Sequence, residues 1–218
     1  MQSQARSVTT TQLAVHEKLA HYVERYQQTQ RVHAVSEHTA AAFEQCLDWL
    51  RDWSGPIIFD ACCGVGESTA RIAERYPDCK VIGIDKSAAR LAKHQHYANT
   101  QQNYQVVRAD VSDFWYLARQ HGLKLAKHFL LYPNPYPKPS QLQKRWHASP
   151  SMPDIIALGT ELVVRSNWLI FLQEFQQALS LYDIESGIEP VSSGEPLTPF
   201  ERKYMASGQA CWQLISTP

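Results

Sequence analysis

Pro56-Ile-Ile-Phe-Asp-Ala-Cys-Cys-Gly-Val-Gly66 decides the fold. A short apolar run gives way to an acid and then to small residues with two glycines. The stretch that follows, Glu67-Ser-Thr-Ala-Arg-Ile-Ala-Glu-Arg-Tyr76, reads as a helix. The order is strand, tight turn, helix. Lys80-Val-Ile-Gly-Ile-Asp85 is then a second buried-type strand. It ends in an acid about 20 residues beyond the glycines, where such folds place a carboxylate for ribose hydroxyls. A third strand, Tyr104-Gln-Val-Val-Arg-Ala-Asp110, delivers another acid, although Asp110 also stands where it could cap a helix beginning near Ser112. Asp60, Asp85 and Asp110 thus close three consecutive strands, and a nucleoside-bearing cofactor is implied.

The glycine pattern narrows the cofactor. A dinucleotide fingerprint wants a third glycine where the chain has Thr69, and no Gly-x-x-x-x-Gly-Lys phosphate loop exists in the sequence. The loop instead resembles the Asp/Glu-x-x-x-Gly-x-Gly shape of S-adenosylmethionine (SAM) methyltransferases.

Downstream, Phe129-Leu-Leu-Tyr-Pro-Asn-Pro-Tyr-Pro-Lys138 is an apolar run that stops at three alternating prolines. Proline fixes its own φ and restricts the residue before it, so Asn134 between Pro133 and Pro135 has little backbone freedom. Rigid polar groups at the carboxyl end of a strand are where open α/β sheets put their ligand crevice.

With these segments the chain resembles the bacterial tRNA (guanine-N7)-methyltransferase family, a branch of the class I SAM-dependent methyltransferases. Members carry Pro-Asp-Pro-Trp-x-Lys after the fourth strand, Thr-Asp-Trp after the fifth and Thr-x-Phe/Tyr-Glu near the C-terminus. The counterparts here are Pro133-Asn-Pro-Tyr-Pro-Lys138, Ser166-Asn-Trp168 and Thr198-Pro-Phe-Glu-Arg202, the last followed by Gly208 and an apolar strand from Ala210 to Ile215. The resemblance implies a Rossmann-like α/β fold with a mainly parallel seven-stranded sheet and helices on both faces. It implies SAM contacts from Asp60, Gly64, Gly66, Asp85, Lys86, Asp110, Val111 and Asn134, with Asn134 as the catalytic residue. Thr198, Glu201 and Arg202 would meet the target nucleoside. The departures are Asn134 and Asn167 where the family has Asp, and Cys62 where it has the first loop glycine. Cys62 is costly only if its position demands a positive φ.

Methyl transfer from a sulfonium to guanine N7 needs alignment more than a base, because N7 already carries a free lone pair. Asn134 would orient the acceptor by hydrogen bonds, and Tyr136, Asn167 and Trp168 would line it, the two rings by stacking. Two other readings stand beside this one. Asn134-Pro-Tyr136 is similar to the Asn-Pro-Pro-Tyr segment of adenine N6 and glutamine N5 methyltransferases, though one proline short, and the Thr198–Arg202 tail argues against it. A binding protein that has lost catalysis with its two acids is the other.

At 218 residues and 44% hydrophobic the chain fits one core, with residues 1–54 as an N-terminal helical extension and 55–218 as the methyltransferase unit. Val15–Tyr26 and Ser36–Trp53 have helical spacing, Ser36 being the expected N-cap. These helices would pack on the sheet or form a lid. Ile188–Pro199 is the linker-like stretch. No apolar run is long enough for a membrane span and no signal peptide is evident, so a soluble, cytoplasmic protein is expected. Five cysteines without a Cys-x-x-Cys pair, and nine histidines without ligand spacing, point to reduced thiols and no metal. Cys63 reads as a small residue of the cofactor loop rather than a nucleophile.

Formal net charge is zero, yet the charges are segregated. Between Asp113 and Asp154 lie Arg119, Lys124, Lys127, Lys138, Lys144 and Arg145 and no acid, whereas Ser166 to Glu201 holds six acids and no base. The basic block continues as Lys144-Arg-Trp-His147, basic and aromatic residues together, which suits phosphate contact with base stacking. Lys138, Lys144 and Arg145 are the expected phosphate contacts and tRNA the expected partner.

Overall fold

The computed structural model describes residues 7–29, 31–159, 161–192 and 194–217. Along the chain run α1 (Leu19–Gln27), α2 (Glu37–Leu50), β1 (Ile57–Ala61), α3 (Glu67–Arg75), β2 (Lys80–Asp85), α4 (Ala88–Leu91), β3 (Tyr104–Arg108) and α5 (Val111–Gln120). Then follow β4 (Lys127–Leu131), α6 (Met152–Ala157), β5 (Glu161–Ser166), α7 (Leu169–Ser180), β6 (Ser186–Pro190), α8 (Pro199–Ala206) and β7 (Trp212–Ser216). The strands form one seven-stranded sheet in the order β3-β2-β1-β4-β5-β7-β6. Neighbours among β1 to β5 are parallel, and β7 is antiparallel to both β5 and β6. Strand order turns outward in both directions from the β1/β4 pair, so the crevice of this sheet lies above the carboxyl ends of those two strands. The glycine loop leaves β1 there and the proline segment leaves β4.

Alternation along the strands divides the core. Ile58, Val81, Phe129 and Val163 pack with Ile72 and Ala73 of α3 on one face. Phe59, Ile84, Leu130 and Val164 join Phe114 of α5 and Phe171 and Phe175 of α7 on the other. Leu19 and Val23 of α1 and Phe43 and Cys46 of α2 are buried in that second cluster, so both N-terminal helices share the core. Ser36 precedes α2 as expected but does not cap it. Its N–H and hydroxyl donate to the Asp113 carboxylate at 2.9 and 2.8 Å, which is the stronger, charged acceptor. Thr39 Oγ1 accepts the Asp110 N–H at 2.9 Å, which ties α2 to the end of β3.

The linker reading of Ile188–Pro199 is corrected. Its first residues belong to edge strand β6, where a terminal proline costs no ladder bond, and Leu197 is buried against α3.

His128 on β4 offers a stability test. The Trp115 indole N–H, a donor only, points at His128 Nε2 at 3.0 Å, so that nitrogen must be unprotonated. Burial pushes the imidazole down to about 3. An unfolded histidine takes a proton near pH 6.5, so this stabilisation is complete above that pH and is lost as pH falls toward 3. The loss is about 5 kcal/mol. Urea unfolding of His128→Gln, which keeps an acceptor for Trp115, is expected to lack this share of the acid sensitivity; an unchanged pH slope would contradict it.

Candidate functional site

The turn after β1 is built on left-handed backbone. Cys62, Gly64 and Gly66 have φ of 62°, 63° and 74°. Cys62 therefore occupies a position that favours glycine and carries about 1–2 kcal/mol of strain. At Gly66 an added Cβ would sit 2.5 Å from His94 Nδ1, whereas at Gly64 it would meet nothing within 4 Å. Gly64 thus opens its backbone onto free space. Asp85 is buried and ties the loop to β2, Oδ2 accepting the Gly64 N–H at 3.0 Å and Oδ1 the Ser87 N–H at 2.8 Å. Lys86 beside it is exposed.

Asp60 lies beneath this loop with no exposed surface, so the expected cofactor contact is corrected. Its Oδ2 accepts the Ser68 and Thr69 hydroxyls at 2.6 and 2.7 Å and so fixes the first turn of α3. Burial pushes Asp60 up to about 6 against those two bonds, with Asp85 adding to the rise. Burial also drives Cys63 well above the usual thiol range, with Asp60 and Asp85 adding, so it holds no reactive thiolate. Asp60 Oδ1 and Glu67 Oε2, at the two ends of the loop, are buried without a hydrogen-bond partner. Asp110 caps α5, Oδ1 accepting from the N–H groups of Ser112 and Asp113 at 3.0 and 3.3 Å. Val111 turns its side chain into the core, leaving only backbone for the crevice.

At the end of β4, Tyr132 and Tyr136 have φ of 51° and 45° and bracket the exposed Asn134. Asn134 Oδ1 accepts the Tyr136 N–H at 3.2 Å, which leaves its NH₂ turned outward. Lys138 and Lys144 are exposed, Lys144 Nζ standing 5.9 Å from the Tyr136 ring. Beyond β5, Asn167 is half-buried and donates to Gln209 Oε1 at 2.9 Å.

Five expected substrate contacts are engaged by other groups of the protein. Arg145 is wholly buried and ion-paired with Glu174, because its guanidinium faces inward between two tight turns. Trp168 is 7% exposed, its ring stacked on the Arg145 guanidinium at 5.0 Å. Thr198 caps α8 by accepting the Glu201 N–H at 3.0 Å, and Glu201, 1% exposed, accepts Arg165 Nη1 at 2.9 Å. Arg202 is half-exposed and pairs with Glu67 at the start of α3, closing a link from α8 to the glycine loop. The basic block is also smaller than its sequence suggests. Arg119 pairs with Asp154, Lys127 with Glu161, and Lys124 donates to the Ala157 carbonyl. Lys138 and Lys144 remain outside any ion pair among the described residues.

Residues 54–214 match the model of a family described as "Putative methyltransferase". The chain belongs to that family. Relatives include the tRNA (guanine-N(7)-)-methyltransferase of Aquifex aeolicus, 26% identical over 70% of this chain, of whose length the match spans only 53%. The enzyme of the same description from Neisseria meningitidis serogroup A is 23% identical over 74% of this chain and 71% of its own. Among solved structures, the 16S rRNA methyltransferase KamB superposes with a TM-score of 0.55 at 17% identity, over 87% of this chain and 97% of that one. The fold is the Rossmann-like one of class I methyltransferases.

Two residues of the site escaped the sequence reading. Glu67 is buried at the loop's end and joins Arg71 and Arg202. Glu174 is the sole charge in Leu169-Ile-Phe-Leu-Gln-Glu-Phe-Gln-Gln-Ala-Leu-Ser180, and a lone acid in an apolar helix was the available signal.

Proposed function

We propose that this chain transfers a methyl group from SAM to N7 of a guanine in tRNA. The observation that carries the reading is Asn134: with Oδ1 engaged by its own loop, it offers N–H donors above the crevice, and guanine O6 beside N7 is an acceptor. An attacking amine, as in the adenine N6 and glutamine N5 enzymes, would want the oxygen instead. The names of the tRNA relatives and the order of the three family segments support the same substrate.

The residues present fit SAM. Gly64 opens onto free space at a turn that ends beside Glu67 Oε2, a buried oxygen without a donor, and a cationic amino acid moiety supplies donors. Gly64 and Gly66 would approach it with backbone, Asp85 would accept from ribose hydroxyls, and Asp110, Lys86 and the Val111 backbone would border the base. SAM brings an electrophilic methyl on a sulfonium. Bound there, SAM would supply that methyl to the N7 lone pair and keep the C–S electrons on sulfur, so this chain's residues would need to provide no general base. The protein's part is then to hold acceptor and donor in line, which is worth on the order of 7 to 11 kcal/mol when complete. Asn134 and Tyr136 orient the base, and Lys138 and Lys144 hold phosphates. Residues 55–218 form the transferring unit in this reading and the helices of 1–54 brace it.

Label from methyl-labelled SAM is expected in N7-methylguanosine when bulk tRNA is the acceptor, with the nucleoside identified by mass spectrometry. Label in N6-methyladenosine or in protein glutamine would replace the substrate reading. Since Lys138 and Lys144 are the cations of the basic block that stand outside any ion pair among the described residues, Lys138→Ala with Lys144→Ala is expected to weaken tRNA binding about equally across sequences and to flatten its log–log salt dependence by about two or less. SAM affinity should not move. Salt-insensitive binding by the wild type would argue against an RNA substrate.

A further inference from the structure

Arg145 contacts both loops that carry the asparagines. Nε and Nη2 donate to the Tyr136 carbonyl at 3.1 and 3.0 Å, and Nη2 also lies 3.3 Å from the Lys138 carbonyl, so the guanidinium grips the proline loop on the C-terminal side of Asn134. Its flat face covers Trp168, the residue after Asn167. Nη1 is paired with Glu174 of α7, whose Oε2 also receives His147 Nε2 at 3.0 Å. The N-terminal segment closes the arrangement. Gln12 accepts from Arg145 at 2.9 Å and donates to Glu174 Oε1 at 2.6 Å, Glu174 Oε1 accepts the His16 N–H at 3.0 Å, and Thr10 Oγ1 donates to the Pro137 carbonyl at 2.6 Å.

A buried ion pair is a poor source of stability, since well-packed apolar residues of similar size usually serve as well or better. What an apolar pair cannot supply is direction. The guanidinium is a rigid planar fork with five donors, and here Nε and Nη2 point at carbonyls of a loop whose Tyr136 stands at positive φ and must be held there.

We propose that Arg145, anchored by Glu174, is a positioning residue that sets the Asn134 loop and the Asn167 loop in one fixed relation to each other. It touches no substrate; it acts through Tyr136, Lys138 and Trp168. The inference rests on the methyl-transfer reading for its kinetic consequence, but its geometric consequence is independent of that reading.

Two variants separate positioning from bulk stability. Arg145→Lys keeps the charge for Glu174 but loses the fork, and Arg145→Met with Glu174→Met removes both charges together. In both, kcat for methyl transfer into tRNA is expected to fall on the order of 100-fold, as for a misplacement of about 1 Å. KM for tRNA and Kd for SAM should stay within threefold, and the double variant should melt below the wild type, because Gln12, the His16 N–H and His147 lose their acceptor. Backbone hydrogen exchange at Asn134, Tyr136 and Lys138, the residues of the proline loop that carry an N–H, and at Asn167 and Trp168 should rise at least tenfold in Arg145→Lys, with the strands unchanged. Unchanged exchange in those loops would overturn the proposal whatever the activity. A raised KM with flattened salt dependence and intact kcat would overturn it too, since that is the signature of a phosphate contact. A wild type that transfers nothing to tRNA would count against the substrate reading alone, leaving the exchange result to decide this one.

Discussion

Asn134→Ala is expected to lower kcat for methyl transfer about 100- to 1,000-fold while leaving the Kd of SAM within twofold. The side chain stands exposed at the end of β4, beside the β1/β4 switch point where the crevice opens. It is the polar group on the most rigid part of the rim, between Pro133 and Pro135 and held by its own bond to Tyr136. Without it, guanine O6 loses its donor and the base loses its orientation relative to the methyl, and misalignment of this size costs about two orders of magnitude. Because Gly64, Asp85 and Asp110 lie at the carboxyl ends of β1, β2 and β3, away from the β4 loop, SAM binding should be indifferent to the change. Calorimetry for SAM with single-turnover rates on tRNA checks both halves. A rate within threefold of the wild type would remove Asn134 from the reaction.

The fold was legible because its signals are local. Apolar runs ending at Asp60, Asp85 and Leu131, each followed by a turn, are strand ends read directly from residue order, and the parallel sheet follows. The site was legible where function is carried by exposed groups on those turns, namely Asn134, Lys138 and Lys144. It was not legible where a charge is neutralised from far along the chain. Lys144-Arg145-Trp146-His147 reads as one basic patch, yet the chain turns Lys144 outward and Arg145 inward to a carboxylate 29 residues away. Glu201 reads as a substrate ligand but meets Arg165, 36 residues earlier. Position 62 was a known point of tension, and only the backbone shows that Cys62 is held at the left-handed geometry a glycine would adopt freely. Asp60 was assigned to the cofactor by its place at a strand end; the hydroxyls of Ser68 and Thr69, across the glycine loop in the first turn of α3, claim it instead.

The two amides decide whether this crevice is a working site or a retired one. Asn167 donates to Gln209, and an aspartate there would face another oxygen unless the Gln209 amide turned over. Asn134 presents N–H donors outward, whereas an aspartate would keep the bond to the Tyr136 N–H and present only acceptors. A carboxylate opposite guanine O6 leaves that oxygen unpaired and repelled, a loss of about 1–3 kcal/mol, or roughly five- to 150-fold in rate. Asn134→Asp is therefore expected to transfer methyl at least about fivefold more slowly than wild type, and Asn167→Asp to lose less. Both should fold normally, since Asn134 is exposed and Asn167 is only half-buried. The measurement is labelled methyl transfer into bulk tRNA for wild type, each single variant and the double, with the product nucleoside identified. An inactive wild type whose double variant gains guanine N7 methylation would show that the amides mark a lost activity, because a site built around carboxylates would accept them back. Activity in the wild type that both aspartates diminish would show a crevice whose donors, not its acids, hold the base in line.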